Sequence, residues 1–221
     1  MPEALPQGLY PILSDNVVPP RELPAAARAV AEAGVGVMQL RLKELPDRER
    51  LTAHRAVLAA LGDLPWRGVL VIDDRADLAL VARVDAPAGL RVGLHVGQDD
   101  LPARAARELV GPDVLLGLST HDLAQVEAAR ALPVDYLGFG PLFATTTKAR
   151  HDPTVGLDGL AAACRAARDL PIVAIGGIGL DIVARVREAG AHGVAVASAL
   201  FGGPADGLVA RARAAHEGMF P

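Results

Sequence analysis

A single-domain (β/α)8 (TIM) barrel of the α/β class is the fold this sequence predicts. Three observations carry it: the chain length, the alternation of strand-length apolar runs with alanine-rich helical stretches, and the polar residues that collect at the ends of those runs. The chain has 221 residues and is 51% hydrophobic, enough for one large core and within the size of a single barrel. Apolar runs alternating with helical patterns signal repeated βα units around a parallel sheet, and eight of them close most simply into a barrel. No linker-like or low-complexity stretch divides the sequence, so residues 1–221 read as one domain.

The elements follow in order. The first strand spans 8–14 and leads to a helix over 21–33, where Glu32-Ala33-Gly34 ends the helix with a glycine suited to a left-handed C-terminal cap. The second strand, 35–43, is followed by a helix over 48–61; the third strand is 68–74 and the fourth 92–98, with a helix over 102–109. Residues 85–91 read as extra sequence at the barrel face opposite the strand C-termini. The fifth strand, 115–120, precedes a helix over 121–132, and the sixth, 135–143, precedes the longest irregular stretch, 144–156, and a helix over 157–170. The seventh strand, 171–178, feeds a helix over 181–189 that ends in a second Glu-Ala-Gly, and the eighth, 193–200, precedes a final helix over 205–217.

Composition narrows the function. The formal net charge is -4 and the basic residues are scattered, so no broad cationic surface of the kind that binds nucleic acid is expected. No uninterrupted apolar run is long enough for a membrane, and Pro2, Glu3, Pro6 and Gln7 do not fit a secretory signal. The one cysteine, Cys164, excludes an intramolecular disulfide and a thiolate metal cluster, and in its alanine-rich helix it reads as a small buried hydrophobe. A cytoplasmic location is the resulting expectation, and a homo-oligomer is admitted.

In a barrel the site lies at the C-terminal ends of the strands, so polar residues there form one constellation. Side chains alternate along a strand, which puts Gln39, Arg41 and Lys43 on one face and Met38, Leu40 and Leu42 on the other. An amide, a guanidinium and an ammonium converging on one spot suit a multiply charged oxyanion such as phosphate or pyrophosphate; the plainer alternative is the solvated face of an edge strand. The third and fourth strands end in Asp73-Asp74 and Asp99-Asp100. Carboxylates beside an anion cradle suit a hard divalent cation, and Mg2+ is commonly held by one or two carboxylates plus substrate phosphate oxygens. Each aspartate could instead cap the next helix; capping is the preferred reading for Asp99, and metal ligation for Asp74 and Asp100. Ser119 stands open between donating to a substrate and capping. Thr145, Thr146, Thr147 and Lys148 form a hydroxyl-rich cationic loop able to close over a charged ligand. Gly176, Gly177 and Gly179 after the seventh strand, and Gly202 and Gly203 after the eighth, expose backbone amides where barrels commonly hold a phosphate.

These motifs, in this order and spacing, resemble the thiamine-phosphate synthase and thiazole tautomerase family over almost the whole chain: Leu9-Tyr10, Gln39-Leu40-Arg41-Leu42-Lys43, Asp73-Asp74-Arg75, Gly93 through Asp100, Gly117 through His121, Asp135 through Gly138, Thr145 through Lys148, Ile175 through Ile178, and Val194 through Leu200. The resemblance implies a transferase that joins a pyrimidine diphosphate to a thiazole phosphate, giving thiamine phosphate and pyrophosphate. It assigns Gln39, Leu40, Arg41, Leu42, Lys43, Asp73, Ser119 and Lys148 to the pyrimidine diphosphate, Asp74 and Asp100 to Mg2+, and Thr145, Thr146, Thr147, Gly177, Ala197 and Ser198 to the thiazole phosphate. Arg41, Lys43 and Lys148 would stabilise the leaving group. Asp73 departs from the family's usual asparagine, and Ala144 from a frequent proline. Two rivals remain at this level. A thiazole tautomerase would use His121 as base but leaves Asp74, Asp100 and the threonine loop without roles. A catalytically silent barrel that binds a phosphorylated ligand draws on Asp73 alone. His95 is expected as a structural histidine of the barrel wall and His151 as a loop residue.

Overall fold

The computed structural model describes residues 4–144 and 153–220. Its elements run β1 (Gly8–Ser14), α1 (Leu23–Glu32), β2 (Val37–Arg41), α2 (Asp47–Gly62), β3 (Val69–Asp73), α3 (Ala76–Asp85), β4 (Arg91–Val96), α4 (Ala103–Val110), β5 (Leu115–Thr120), α5 (Leu123–Ala129), β6 (Tyr136–Phe139), α6 (Gly156–Ala167), β7 (Ile172–Ala174), α7 (Val183–Glu188), β8 (Gly193–Val196), α8 (Ser198–Phe201) and α9 (Leu208–Glu217). The strands pair in parallel in sequence order and β8 pairs back onto β1, so the barrel is closed. Closure removes every sheet edge, which excludes the solvated edge-strand reading of β2.

Strands buried on both faces need apolar residues at successive positions, and this is why they appear in the sequence as near-continuous runs. Two packed regions result. Leu9, Leu13, Met38, Leu40, Leu70, Ile72, Leu94 and Leu116 pack outward against the helices, where Ala27, Val30, Val57, Ala79 and Ala106 meet them. Tyr10, Ile12, Val37, Val69, Val71, Leu115, Tyr136, Val173 and Ala195 fill the barrel interior. Small residues make room for the two tyrosines: a Cβ on Gly117 would collide with both the Tyr136 ring and His95 Nδ1. Gly34 and Gly190 follow α1 and α7 with φ of 86° and 109°, the left-handed conformation that ends a helix most cheaply with glycine.

The later strands are shorter than the apolar runs. At Gly140 the chain presses directly against the Ile175 carbonyl, and a Cβ there would overlap it. The eighth run ends as a strand at Val196, and Ser198 opens the short helix α8. Helix α3 has no clean amphipathic pattern, because Leu80, Val81 and Val84 extend its apolar residues around the cylinder; Val84 is 85% exposed. It fills most of the connection before β4, leaving 86–90 as the extra sequence.

At the N-terminal end of the barrel, Arg107 of α4 staples β5 to β6. It donates to the carbonyls of Gly111, Val114 and Pro133 and pairs with Asp135 at 2.6 Å, while Asp135 also accepts the Leu116 amide at 2.7 Å. Arg107→Ala would strand a half-buried carboxylate and three carbonyls, a loss of about 2 to 3 kcal/mol. A thermal melt is expected to show a Tm lower by roughly 4 to 12 °C, at about 2–4 °C per kcal/mol for a chain of this size.

Candidate active site

Gln39 and Arg41 project from β2 into the barrel, and Lys43 follows just past the strand; with Asp73, Asp74, Asp100 and Ser119 they line a cavity of about 80 Å3 at its C-terminal mouth. The floor and walls are largely apolar or aromatic, from Tyr10, Ile12, Tyr136, Val173, Ile175 and Ala195, and the rim is charged. Leu40 and Leu42 pack instead into the layer beneath the helices, so any contact of theirs with a ligand would be through backbone.

Arg41 and Lys43 are set in place by the end of β1. Arg41 donates to Ser14 Oγ at 3.4 Å, and Ser14 donates to Asn16 Oδ1 at 2.7 Å. Asp15 accepts three consecutive backbone amides, from Lys43, Glu44 and Leu45, at 3.2, 2.7 and 3.2 Å, while Arg50 holds the Lys43 carbonyl at 2.9 Å. Asp15 thus fixes the bend that aims Lys43 back across the mouth. Sequence reasoning missed this residue, because an aspartate after a strand is indistinguishable from an ordinary turn residue until its partners are placed.

The carboxylates face these cations. Lys43 Nζ lies 2.8 Å from Asp74 Oδ2 and 3.9 Å from Asp73 Oδ2, and Arg41 Nε lies 3.6 Å from Asp73 Oδ2. Asp73 Oδ1 accepts from Gln39 Nε2 at 2.7 Å, while Oδ2 is buried without a hydrogen-bond partner. Burial first, and then the neighbouring Asp74 charge, push the Asp73 carboxyl up to about 7 against the pull of Lys43 and Arg41. Near neutral pH it is therefore partly protonated, and in that form it carries a donor where asparagine carries its amide. The departure at position 73 is in this way chemically small.

Asp74 has φ of 58° and its amide donates to the His95 carbonyl at 2.8 Å. Asp100 folds back on the Gly97 amide at 2.7 Å, and its carboxyl is raised by burial and by a hydrogen bond shared with Asp74. The cap positions of α3 and α4 are held by Arg75 and Pro102 with no side-chain cap, so neither Asp74 nor Asp100 nor Asp99 serves as one; the cap expected of Asp99 is not formed. Two touching carboxylates left over from capping suit a divalent cation. Among the described residues no group of three or more His, Cys, Asp or Glu side chains could hold a metal, so an ion here would need oxygens from a ligand.

His95, expected in the wall, points into the cavity, with Nε2 2.9 Å from Ser119 Oγ and Nδ1 3.0 Å from the Tyr136 hydroxyl. The signal for it was the pleat: His95 is two residues on from Gly93 and pairs with Asp73. Ser119 does not cap α5, since Asp122 does so by accepting the Gln125 amide. His121 Nδ1 contacts the Gly140 carbonyl at 2.6 Å, and the residue is not among those lining the cavity. Gly177, with φ of 65°, and Ser198 are exposed at the ends of β7 and β8, and Ala197 immediately precedes α8. A Cβ on Gly177 would sit 2.5 Å from the Ala144 carbonyl oxygen. Thr145, Thr146, Thr147, Lys148 and His151 lie outside the described residues.

Comparison with known proteins adds a second line. The family model described as thiamine monophosphate synthase matches residues 9–200. A thiamine-phosphate synthase of Anaeromyxobacter dehalogenans is 44% identical over 195 residues, covering 87% of this chain and 82% of the relative. One from Moorella thermoacetica is 40% identical over 90% of both chains. Among solved structures, thiamine phosphate pyrophosphorylase from Pyrococcus furiosus superposes with a TM-score of 0.80 at 29% identity, covering 97% of this chain and 98% of that one. No helix among the described residues is long and apolar enough to cross a membrane.

Two outcomes follow from the geometry. A buried carboxyl raised to about 7 binds a proton in the folded state that the unfolded chain has already released, so it makes stability fall as pH rises from about 4 to about 7. Thermal melts in EDTA should therefore show Asp73→Asn more stable than the parent at pH 8 and the advantage shrinking toward pH 5; an advantage independent of pH would contradict the raised carboxyl. Asp15→Ala should loosen the 43–45 bend, and hydrogen exchange at the Lys43, Glu44 and Leu45 amides should rise at least tenfold.

Proposed function

The chain belongs to the thiamine monophosphate synthase family, and we propose that its barrel mouth condenses 4-amino-2-methyl-5-hydroxymethylpyrimidine diphosphate with thiazole phosphate to give thiamine phosphate and pyrophosphate. It is a transferase of thiamine biosynthesis acting on small molecules. One observation carries the site reading: Gln39, Arg41 and Lys43 meet Asp73, Asp74 and Asp100 around a cavity whose interior is apolar and aromatic. A flat heterocycle with a diphosphate tail matches that division, ring inside and charge at the rim.

Gln39 and Asp73, already joined by a hydrogen bond, present amide and carboxyl groups suited to the ring nitrogens and amino group of the pyrimidine. Arg41 and Lys43 face the diphosphate, with Lys148 assigned to it by family resemblance. Loss of pyrophosphate leaves a resonance-stabilised pyrimidine-methyl cation, which the thiazole nitrogen captures; the bond to the diphosphate oxygen breaks and one carbon–nitrogen bond forms. The electrons go to the departing pyrophosphate, so preorganised cations there lower the barrier and no protein nucleophile is needed. Asp74 and Asp100 would hold Mg2+, which when bound supplies further charge stabilisation to the diphosphate oxygens. The ends of β7 and β8, with Gly177, Ala197 and Ser198, and residues Thr145, Thr146 and Thr147, are assigned to the thiazole phosphate. The contact of His121 with the Gly140 carbonyl and its position away from the cavity lining give the tautomerase reading no support.

Incubation with both substrates and Mg2+ should yield thiamine phosphate, and EDTA should abolish it; no product from folded protein would overturn the condensation. Arg41→Ala should lower turnover on the order of a hundredfold to a thousandfold, the usual cost of one preorganised donor to developing charge. Steady-state kinetics with near-normal kcat and KM would remove Arg41 from that role.

A further inference from the structure

Ser119, His95, Tyr136 and Tyr10 form a continuous hydrogen-bonded file across the barrel interior. Ser119 Oγ lies 2.9 Å from His95 Nε2, His95 Nδ1 lies 3.0 Å from the Tyr136 hydroxyl, and that hydroxyl lies 2.9 Å from the Tyr10 hydroxyl. Both tyrosines are buried, and burial raises both phenols, so each keeps its proton. Gly117 leaves the gap through which His95 and Tyr136 meet, and Gly138 lies under the imidazole, where a Cβ would stand 3.1 Å from His95 Cε1.

The hydrogens in such a file can run in two directions. In one, Tyr10 donates to Tyr136, Tyr136 donates to His95 Nδ1, and His95 Nε2–H donates to Ser119 Oγ. Every buried donor then has an acceptor, and the Ser119 hydrogen is left for the cavity. In the other, Ser119 gives its hydrogen to His95, and the hydrogen of Tyr10 ends the file without an acceptor among the described contacts. A buried hydroxyl hydrogen without a partner forfeits its hydration, so the first direction is favoured. A neutral imidazole has one donor and one acceptor nitrogen, and the partner at one nitrogen decides what the other can do.

We propose that His95 is a positioning residue, held by Tyr10 and Tyr136 as the Nε2–H tautomer, which donates to Ser119 and turns the Ser119 hydrogen toward the diphosphate oxygens in the cavity. The proposal rests on the condensation reading for what Ser119 meets, and on hydrogen-bond accounting alone for the tautomer. Two tyrosines buried in the barrel interior thereby set the direction of a hydroxyl that lines the cavity.

The tautomer is read directly by 15N NMR of the full chain labelled in histidine, with the His95 signals identified by their loss in His95→Gln. A protonated Nε2 and an unprotonated Nδ1 are expected; a protonated Nδ1 overturns the proposal without reference to activity. Kinetics test the positioning role. Ser119→Ala is expected to lower kcat on the order of a hundredfold and His95→Asn about tenfold or more. His95→Gln should recover most of the second loss, because its side-chain amide nitrogen takes the place of Nε2. In the Ser119→Ala background His95→Asn should cost nothing further, the signature of two residues acting through one contact. Independent losses, or a glutamine variant as poor as the asparagine variant while both melt like the parent, overturn the positioning role. A parent protein that makes no thiamine phosphate overturns the condensation reading, and the NMR result then still decides the tautomer.

Discussion

Charge compensation inside a closed barrel is the constraint on which the site depends. Closure and the strand pleat turn every second side chain inward, so Gln39 and Arg41 cannot escape to solvent as they would on an open sheet. Cations brought to a partly desolvated mouth need opposite charge close by, and Asp73 and Asp74 on the neighbouring strand supply it within 2.8 to 3.9 Å of Arg41 and Lys43. The compensation is incomplete. Asp73 keeps an oxygen without a hydrogen bond and a carboxyl raised to about 7, and burial and the neighbouring Asp74 raise the Asp100 carboxyl. A ligand carrying its own negative charge together with a divalent cation would relieve both strains at once.

The surrounding structure serves that balance. Asp15 spends its carboxylate on three backbone amides and so stands outside the cavity's charge count while fixing the direction of Lys43. Glycines at 93, 117 and 138 empty one side of the interior, and the space is taken by His95, Tyr136 and Tyr10, the only deep polar file linked to the rim through Ser119 among the described residues. At the opposite end the Arg107–Asp135 staple holds β5 and β6 together without touching the mouth. The staple and the candidate site thus lie at opposite ends of the barrel, a separation its architecture allows.

The barrel was legible in the sequence because parallel strands buried on both faces leave continuous apolar runs, and β1 and β5 begin and end where those runs do. The runs overshot at β6, β7 and β8 because apolar residues continue into the turns and helix beyond each strand, as Leu142, Ile178 and Leu200 do, and hydrophobicity does not mark where the ladder stops. The alternation of Gln39, Arg41 and Lys43 identified the inward face of β2, since charges repeated at every second position contradict a dry core. Asp15 and His95 were not legible, because their roles depend on partners 24 to 41 residues away in sequence, such as Leu45, Ser119 and Tyr136. That neither Asp74 nor Asp100 caps a helix likewise needed the backbone path at the helix starts.

Calorimetric binding of inorganic pyrophosphate, with and without Mg2+, tests the central balance most directly. If Arg41 and Lys43 answer Asp73, Asp74 and Asp100 across one cavity, pyrophosphate alone should bind weakly against the carboxylates and at least tenfold more tightly with Mg2+ present. Equal affinity in EDTA would mean that the carboxylates neither oppose the anion nor share a metal with it, and would contradict the joint site.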